Sequence, residues 1–175
     1  MATPGPDAPP SVIHVPQGAG HSWWVYGDED TFKIVSDETG GALTIMETTV
    51  PPGGGTPLHI HHRESEGIYV LDGELEIVDN GLTIPIRTGS FVFMPEGSIH
   101  SFTNTREEDT SKVLILFIPG GFEQCLIEMG TPVVAGQPPP PSRSDEDIAK
   151  AKRIGPKYGL EIVDPGPSTE GGTPA

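Results

Sequence analysis

Three histidines and a glutamate carry the chemistry that is legible in this chain: His59, His61, Glu66 and His100. His59 and His61 are two residues apart, so on a β-strand both side chains project to one face. Glu66 follows closely enough for a short turn to bring it back beside them on the next strand. His100 must arrive from a third, more distant strand. Three imidazoles and a carboxylate form a donor set for a borderline divalent transition metal: Fe, Ni, Mn, Cu, Co or Zn. Buried together without a cation they would be costly, so metal binding is the expectation and a metal-free polar cluster the lesser reading. Four protein donors in a six-coordinate shell leave two positions for water, substrate oxygen or dioxygen. Glu66 is special among the four because a carboxylate can reorient and accept a proton, which makes it the candidate general base.

The elements that must position these groups are short strands. Strand-like runs recur at 22–26, 31–35, 43–50, 58–62, 67–71, 74–78, 82–86, 91–94, 100–104 and 112–118. Turn signals separate them, among them DETGG, PPGGG, LDG, RTG and MPEG, and the Asn80–Gly81 pair is a strong hairpin signal. Many short strands at regular spacing predict an all-β sandwich or barrel. Alternation along the strands points His62 outward, away from the cluster, and places Ile68, Val70 and Phe102 inside with Tyr69 outside. His14 and His21 lie away from the motif and read as structural or solvent-facing. Trp23, Trp24 and Tyr26 read as packing residues. Gly53, Gly73, Gly89 and Gly97 read as turn formers, Pro95 as setting the loop before His100, and Asn104 as fixing the turn after it.

At 175 residues the chain reads as one domain with ragged ends. The expected organisation is a Pro- and Ala-rich disordered tail over 1–11, a barrel over 12–130, and a disordered tail over 166–175. Between barrel and second tail, 131–165 holds a Pro-rich linker, a helix and a final extended segment that dock on the barrel. The segment 120–130 reads as a short helix or turn. The helix at 144–155 has a start signal: Ser144 as N-cap, Asp147 three residues on, acids early and Lys/Arg late.

The formal net charge is −15. Such a surface repels phosphate backbones and anionic lipid, which argues against nucleic-acid and membrane-surface partners. The lone Cys125 permits no intramolecular disulfide and, among apolar neighbours, reads as a buried thiol. No apolar run approaches the ~18 residues of a membrane span. The first residues lack the basic and apolar regions of a signal peptide. The expectation is a soluble, cytoplasmic protein that acts on a small molecule.

The spacing carries a family resemblance as well. The first stretch reads Gly53, five residues, His59, one residue, His61, four residues, Glu66, six residues, Gly73. The second reads Gly89, five residues, Pro95, one residue, Gly97, two residues, His100, three residues, Asn104. These positions match the paired motifs of the cupin superfamily without a departure. The resemblance implies a cupin jelly-roll β-barrel (a double-stranded β-helix) with a short C-terminal helical extension. One copy of the motifs implies a single barrel.

The longer context, HIHHRESEGIYVLDGELEI with the later LFIPGGFEQCLIEMG and KYGLEIV, is similar to single-barrel, quercetinase-like cupins. That similarity implies a metal-dependent dioxygenase acting with O2 on a flavonol or a related enolic or phenolic small molecule. His59, His61, Glu66 and His100 would hold one divalent metal per chain: Ni, Mn, Fe, Co or Cu, with Zn also admissible. Glu66 would double as the base. The resemblance also implies a homodimer. Two other readings use the same residues. One is a non-oxidative isomerase, cyclase or lyase of small-molecule or polyketide metabolism. The other is a ligand-binding cupin without catalysis.

Overall fold

A computed structural model describes residues 12–141 and 143–164. The expected tails, 1–11 and 166–175, lie outside them. Strands are β1 (His21–Val25), β2 (Asp28–Ile34), β3 (Thr44–Val50), β4 (His59–His61), β5 (Ser65–Asp72), β6 (Glu74–Asp79), β7 (Leu82–Arg87), β8 (Phe91–Met94), β9 (Ile99–Thr103), β10 (Ser111–Ile118), β11 (Thr131–Pro132) and β12 (Leu160–Ile162). Helices are α1 (Ser36–Thr39), α2 (Glu123–Met129) and α3 (Asp145–Ile154). The strands form two antiparallel sheets, ordered β11-β1-β2-β3-β10-β5-β8 and β12-β4-β9-β6-β7. This is the expected cupin jelly roll, with a helix near the C-terminal end.

Alternation builds the interior. In β10, Ser111, Val113, Ile115 and Phe117 are buried, and in β3 Thr44, Met46, Thr48 and Val50 face them. Ile68 and Val70 of β5 are fully buried while Tyr69 stays exposed, as the two-residue period requires. The Asn80–Gly81 hairpin joins β6 to β7, with both residues at positive φ (47° and 83°).

The strand start of β2 differs from the sequence reading. It begins at Asp28, three residues before the expected run, because Tyr26 and Gly27, at φ 55° and 87°, close a two-residue hairpin pairing Val25 with Asp28. The DETGG turn also contains a single helical turn, α1.

The C-terminal segment closes the barrel. Ser144 caps α3: its hydroxyl accepts from the Asp147 N–H, and Asp147 in turn takes the Ser144 N–H. The helix buries Ala151 and Ile154. Beyond it, β12 pairs with β4, setting Leu160 opposite His61 and Ile162 opposite His59. The strand bearing two of the candidate ligands is therefore flanked on both sides. Cys125 is fully buried in α2, and burial pushes its thiol up to about 12. Among the described residues no helix is long and apolar enough to cross a membrane.

Candidate metal centre

The four candidate ligands come from three strands in two sheets. β4 supplies His59 and His61, β9 places His100 directly opposite His59, and β5 brings Glu66 from the facing sheet. The chain crosses between sheets in the residues after His61. The Pro95–Gly97 turn braces this corner: the Gly97 N–H donates to the His61 carbonyl at 2.8 Å. Asn104 locks the far end of β9. Its side chain donates to the Val50 and Asp109 carbonyls and accepts from the Arg106 N–H.

All four residues are at most 4% exposed, and one donor atom from each lies within 4.8 Å of all the others. The Glu66 carboxylate is 3.1 Å from His100 Nε2, 3.3 Å from His61 Nε2 and 3.9 Å from His59 Nε2. His59 Nε2 and His61 Nε2 are 3.1 Å apart.

The outer ring nitrogens determine what the inner ones offer. His59 Nδ1 donates to the Pro57 carbonyl at 2.8 Å, and His100 Nδ1 lies 3.2 Å from the Ser98 carbonyl. The Glu64 carboxylate faces His61 Nδ1 at 3.6 Å. Each Nδ1 thus faces an acceptor, so in the neutral rings the proton sits on Nδ1 and each Nε2 presents a lone pair inward. The centre holds four acceptors and no donor, an arrangement that a cation stabilises and that metal-ligating histidines share. The donor set fits a divalent transition metal.

A proton is the smaller cation available to this cluster. Burial lowers His61, but Glu64 and Glu66 on its two sides outweigh that and lift it to about 9. Burial pushes His59 down to about 4. Burial would raise Glu66, yet its contacts with His100, His59 and His61 hold the carboxylate well below its ordinary range.

His62 stays outside the cluster: it is exposed and pairs with Glu161 at 2.8 Å. His14 and His21 are likewise on the surface. Sequence reasoning missed Glu64, which is 6% exposed and whose Oε2, like His61 Nδ1, has no hydrogen-bond partner among the described residues. It also missed Asp28 and Asp30, which are buried in β2 and line the same cavity as the cluster.

That cavity is narrow, with about 40 Å³ open to the centres of water-sized molecules, room for a few waters. Its wall is mainly apolar. Met46, Phe102 and Ile115 come from the barrel, while Phe122, Met129 and Leu160 come from the segments after β10. No lysine or arginine lines it among the described residues.

Residues 46–117 match the Cupin domain family model. An oxalate-binding protein of Thermotoga maritima is 36% identical over 94 residues, covering 53% of this chain and 78% of that protein. Quercetin 2,3-dioxygenase of Bacillus subtilis is 26% identical over 94 residues, but the match covers only 27% of that protein. Among solved structures, a predicted oxalate decarboxylase from Thermotoga maritima superposes with a TM-score of 0.56 at 25% identity, covering 61% of this chain and 99% of the other. With its motif residues gathered in one jelly-roll interior, and with this match to the family model and to a relative covered over most of its length, the chain belongs to the cupin family.

Proposed function

We propose that the protein is a metal-dependent oxygenase of an enolic or phenolic small molecule, flavonols among them. His59, His61, Glu66 and His100 are the metal ligands in this reading, and Glu66 is also the base. The observation that carries it is the convergence of three imidazoles and a carboxylate in a mainly apolar cavity that no described lysine or arginine lines. A site without lysine or arginine suits a substrate that arrives neutral and is deprotonated in place.

The bound metal would supply a Lewis-acidic centre for the substrate oxygens and, if redox-active, a route to O2. The chain's own residues do the rest. Pro57 and Ser98 orient His59 and His100 through their Nδ1 atoms, and the Glu64 carboxylate faces that of His61 at 3.6 Å. Glu66, a carboxylate that can reorient, accepts the proton of the substrate hydroxyl. The apolar wall excludes water and packs the body of the substrate. Met46 and Met129 are the wall residues most able to swing aside for a ring.

A second reading, the binding of a small carboxylate without oxidation, is favoured by the name of the Thermotoga maritima relative and by the narrowness of the cavity. The lack of a lysine or arginine in the lining weighs against it. One experiment separates the two. Protein reconstituted in turn with Ni, Mn, Fe, Co and Cu is given flavonols, small diketones or oxalate, and O2 uptake and ligand binding are followed together. About one metal per chain and O2 uptake with an enolic substrate are expected. Oxalate binding without O2 uptake on any enolic or phenolic substrate would replace the first reading with the second.

A further inference from the structure

The cavity has a second polar feature that the metal reading leaves unused. Asp30 of β2 is 4% exposed and lines the cavity, yet its described hydrogen bonding is one contact, the Thr48 hydroxyl donating to Oδ1 at 2.7 Å. Its other oxygen has no partner among the described residues. Its neighbour Asp28 is accounted for differently: its carboxylate accepts the Gly55 N–H at 3.2 Å, next to the charge of Arg143. A buried carboxyl facing a cavity with an oxygen to spare is costly to keep, and nothing in the packing of β2 requires it.

The strand register places Asp30 well away from the metal ligands. Asp30 pairs with Thr48, Thr48 with Val113, and Val113 with Val70, which lies four residues beyond Glu66 on β5. Asp30 is therefore three strands across the sheet from Glu66 and four residues along, with side chains such as Met46 and Ile115 between them on the wall. At about 4.8 Å per strand the two backbones are roughly 14 Å apart across the sheet, and the curvature of the barrel brings the carboxyls near enough for the Glu66 charge to act on Asp30.

We infer that Asp30, held by Thr48, is a substrate anchor that accepts a hydrogen bond from a hydroxyl at the end of the substrate remote from the metal. The substrate class is then a two-ended one, admitted only once Met46 and Met129 swing aside from a cavity that otherwise has room for a few waters: a chelating hydroxyl–carbonyl pair at one end, an apolar ring body, and a phenolic hydroxyl at the other. This inference rests on the enolic or phenolic reading of the site and narrows it. Burial raises Asp30 to about 7, which leaves it partly protonated near neutrality and suits an uncharged hydroxyl. An ammonium group would have to give up its water to the apolar wall.

Three probes test this: 3-hydroxyflavone, which has the chelating end alone, and 3,7- and 3,4′-dihydroxyflavone, each with one remote hydroxyl. Full-length wild type, Asp30→Ala and Asp30→Asn are loaded with Co²⁺, checked for metal content, and titrated anaerobically. One dihydroxyflavone should bind wild type at least about tenfold more tightly than 3-hydroxyflavone. In Asp30→Ala that gain should fall below about threefold, while 3-hydroxyflavone affinity and metal content hold; Asp30→Asn, which keeps an acceptor, should retain part of it. A gain that survives in Asp30→Ala, or no gain in wild type, overturns the anchor and leaves the metal reading standing. Failure of 3-hydroxyflavone to bind metal-loaded wild type overturns the substrate reading itself, and the anchor with it.

Discussion

Glu66 and Asp30 are both carboxyl groups sealed inside the same barrel, and their surroundings drive them in opposite directions. Glu66 faces three imidazoles and is held ionised, well below its ordinary range. Asp30 has one hydroxyl for company and is raised to about 7 by burial, with the charges of Glu66 and Glu29 adding to the effect. Burial penalises the charged form in both cases, so the partners decide the outcome. One end of the cavity is thus arranged around a negative charge that a cation complements. At the other end burial favours the protonated form. Carboxyls pushed apart in this way are suited to different tasks in one site, as the proposed base and anchor require.

The largest way to break this contrast is to remove the charged end. Glu66→Ala should lower turnover by about 10²–10⁴-fold, read as O2 uptake beside elemental analysis. Full activity in that variant would remove Glu66 from the mechanism.

The other end should respond through stability and pH. Asp30 binds its proton more tightly folded than unfolded, so its contribution is most favourable below about pH 4 and is lost as pH rises through about 7. Asp30→Asn should therefore stabilise the protein by about 2–4 kcal/mol at pH 8 relative to its effect at pH 4. Denaturant melts at the two pH values check this. A gain of equal size at both would mean that Asp30 is not held protonated.

Glu64 tests whether the charged end depends on its supports. Glu64→Ala leaves His61 Nδ1 without its carboxylate and should weaken metal affinity by about 10–100-fold, with Glu64→Gln intermediate. Chelator competition measures both, and wild-type affinity in Glu64→Ala would show His61 to be oriented by the strand alone. The smallest effect should touch neither end. Ser144→Ala removes the α3 cap and should cost about 1 kcal/mol in thermal stability, with metal affinity unchanged. A fall in metal affinity would couple the C-terminal segment to the centre through the pairing of β12 with β4.

The candidate metal end was far easier to read in the sequence than the other. The spacing of His59 and His61, the recurrence of Glu66 and the exclusion of His62 all follow from two-residue alternation on strands, which is a local property. Asn104 and Ser144 were readable for the same reason, since turns and caps are built within a few residues. Glu64 was not, because it sits where the chain crosses between sheets and no periodicity assigns a face there. Asp28 and Asp30 were missed because the Tyr26–Gly27 hairpin starts β2 earlier than its apolar run does, and acids beside a turn read as solvated. The face of Asp30 depends on that register.

The sequence by itself determined the all-β class, the clustering of the four candidate ligands and the family, because alternation, turn residues and ligand spacing are written in contiguous stretches. Only the tertiary structure decided which groups the cavity brings together. It alone set Glu64 against His61, β12 against the strand of His59 and His61, and Asp30 across the barrel from Glu66. Those pairings join residues far apart in the chain, and the environments they create push one buried carboxyl toward its charged form and the other toward its neutral one.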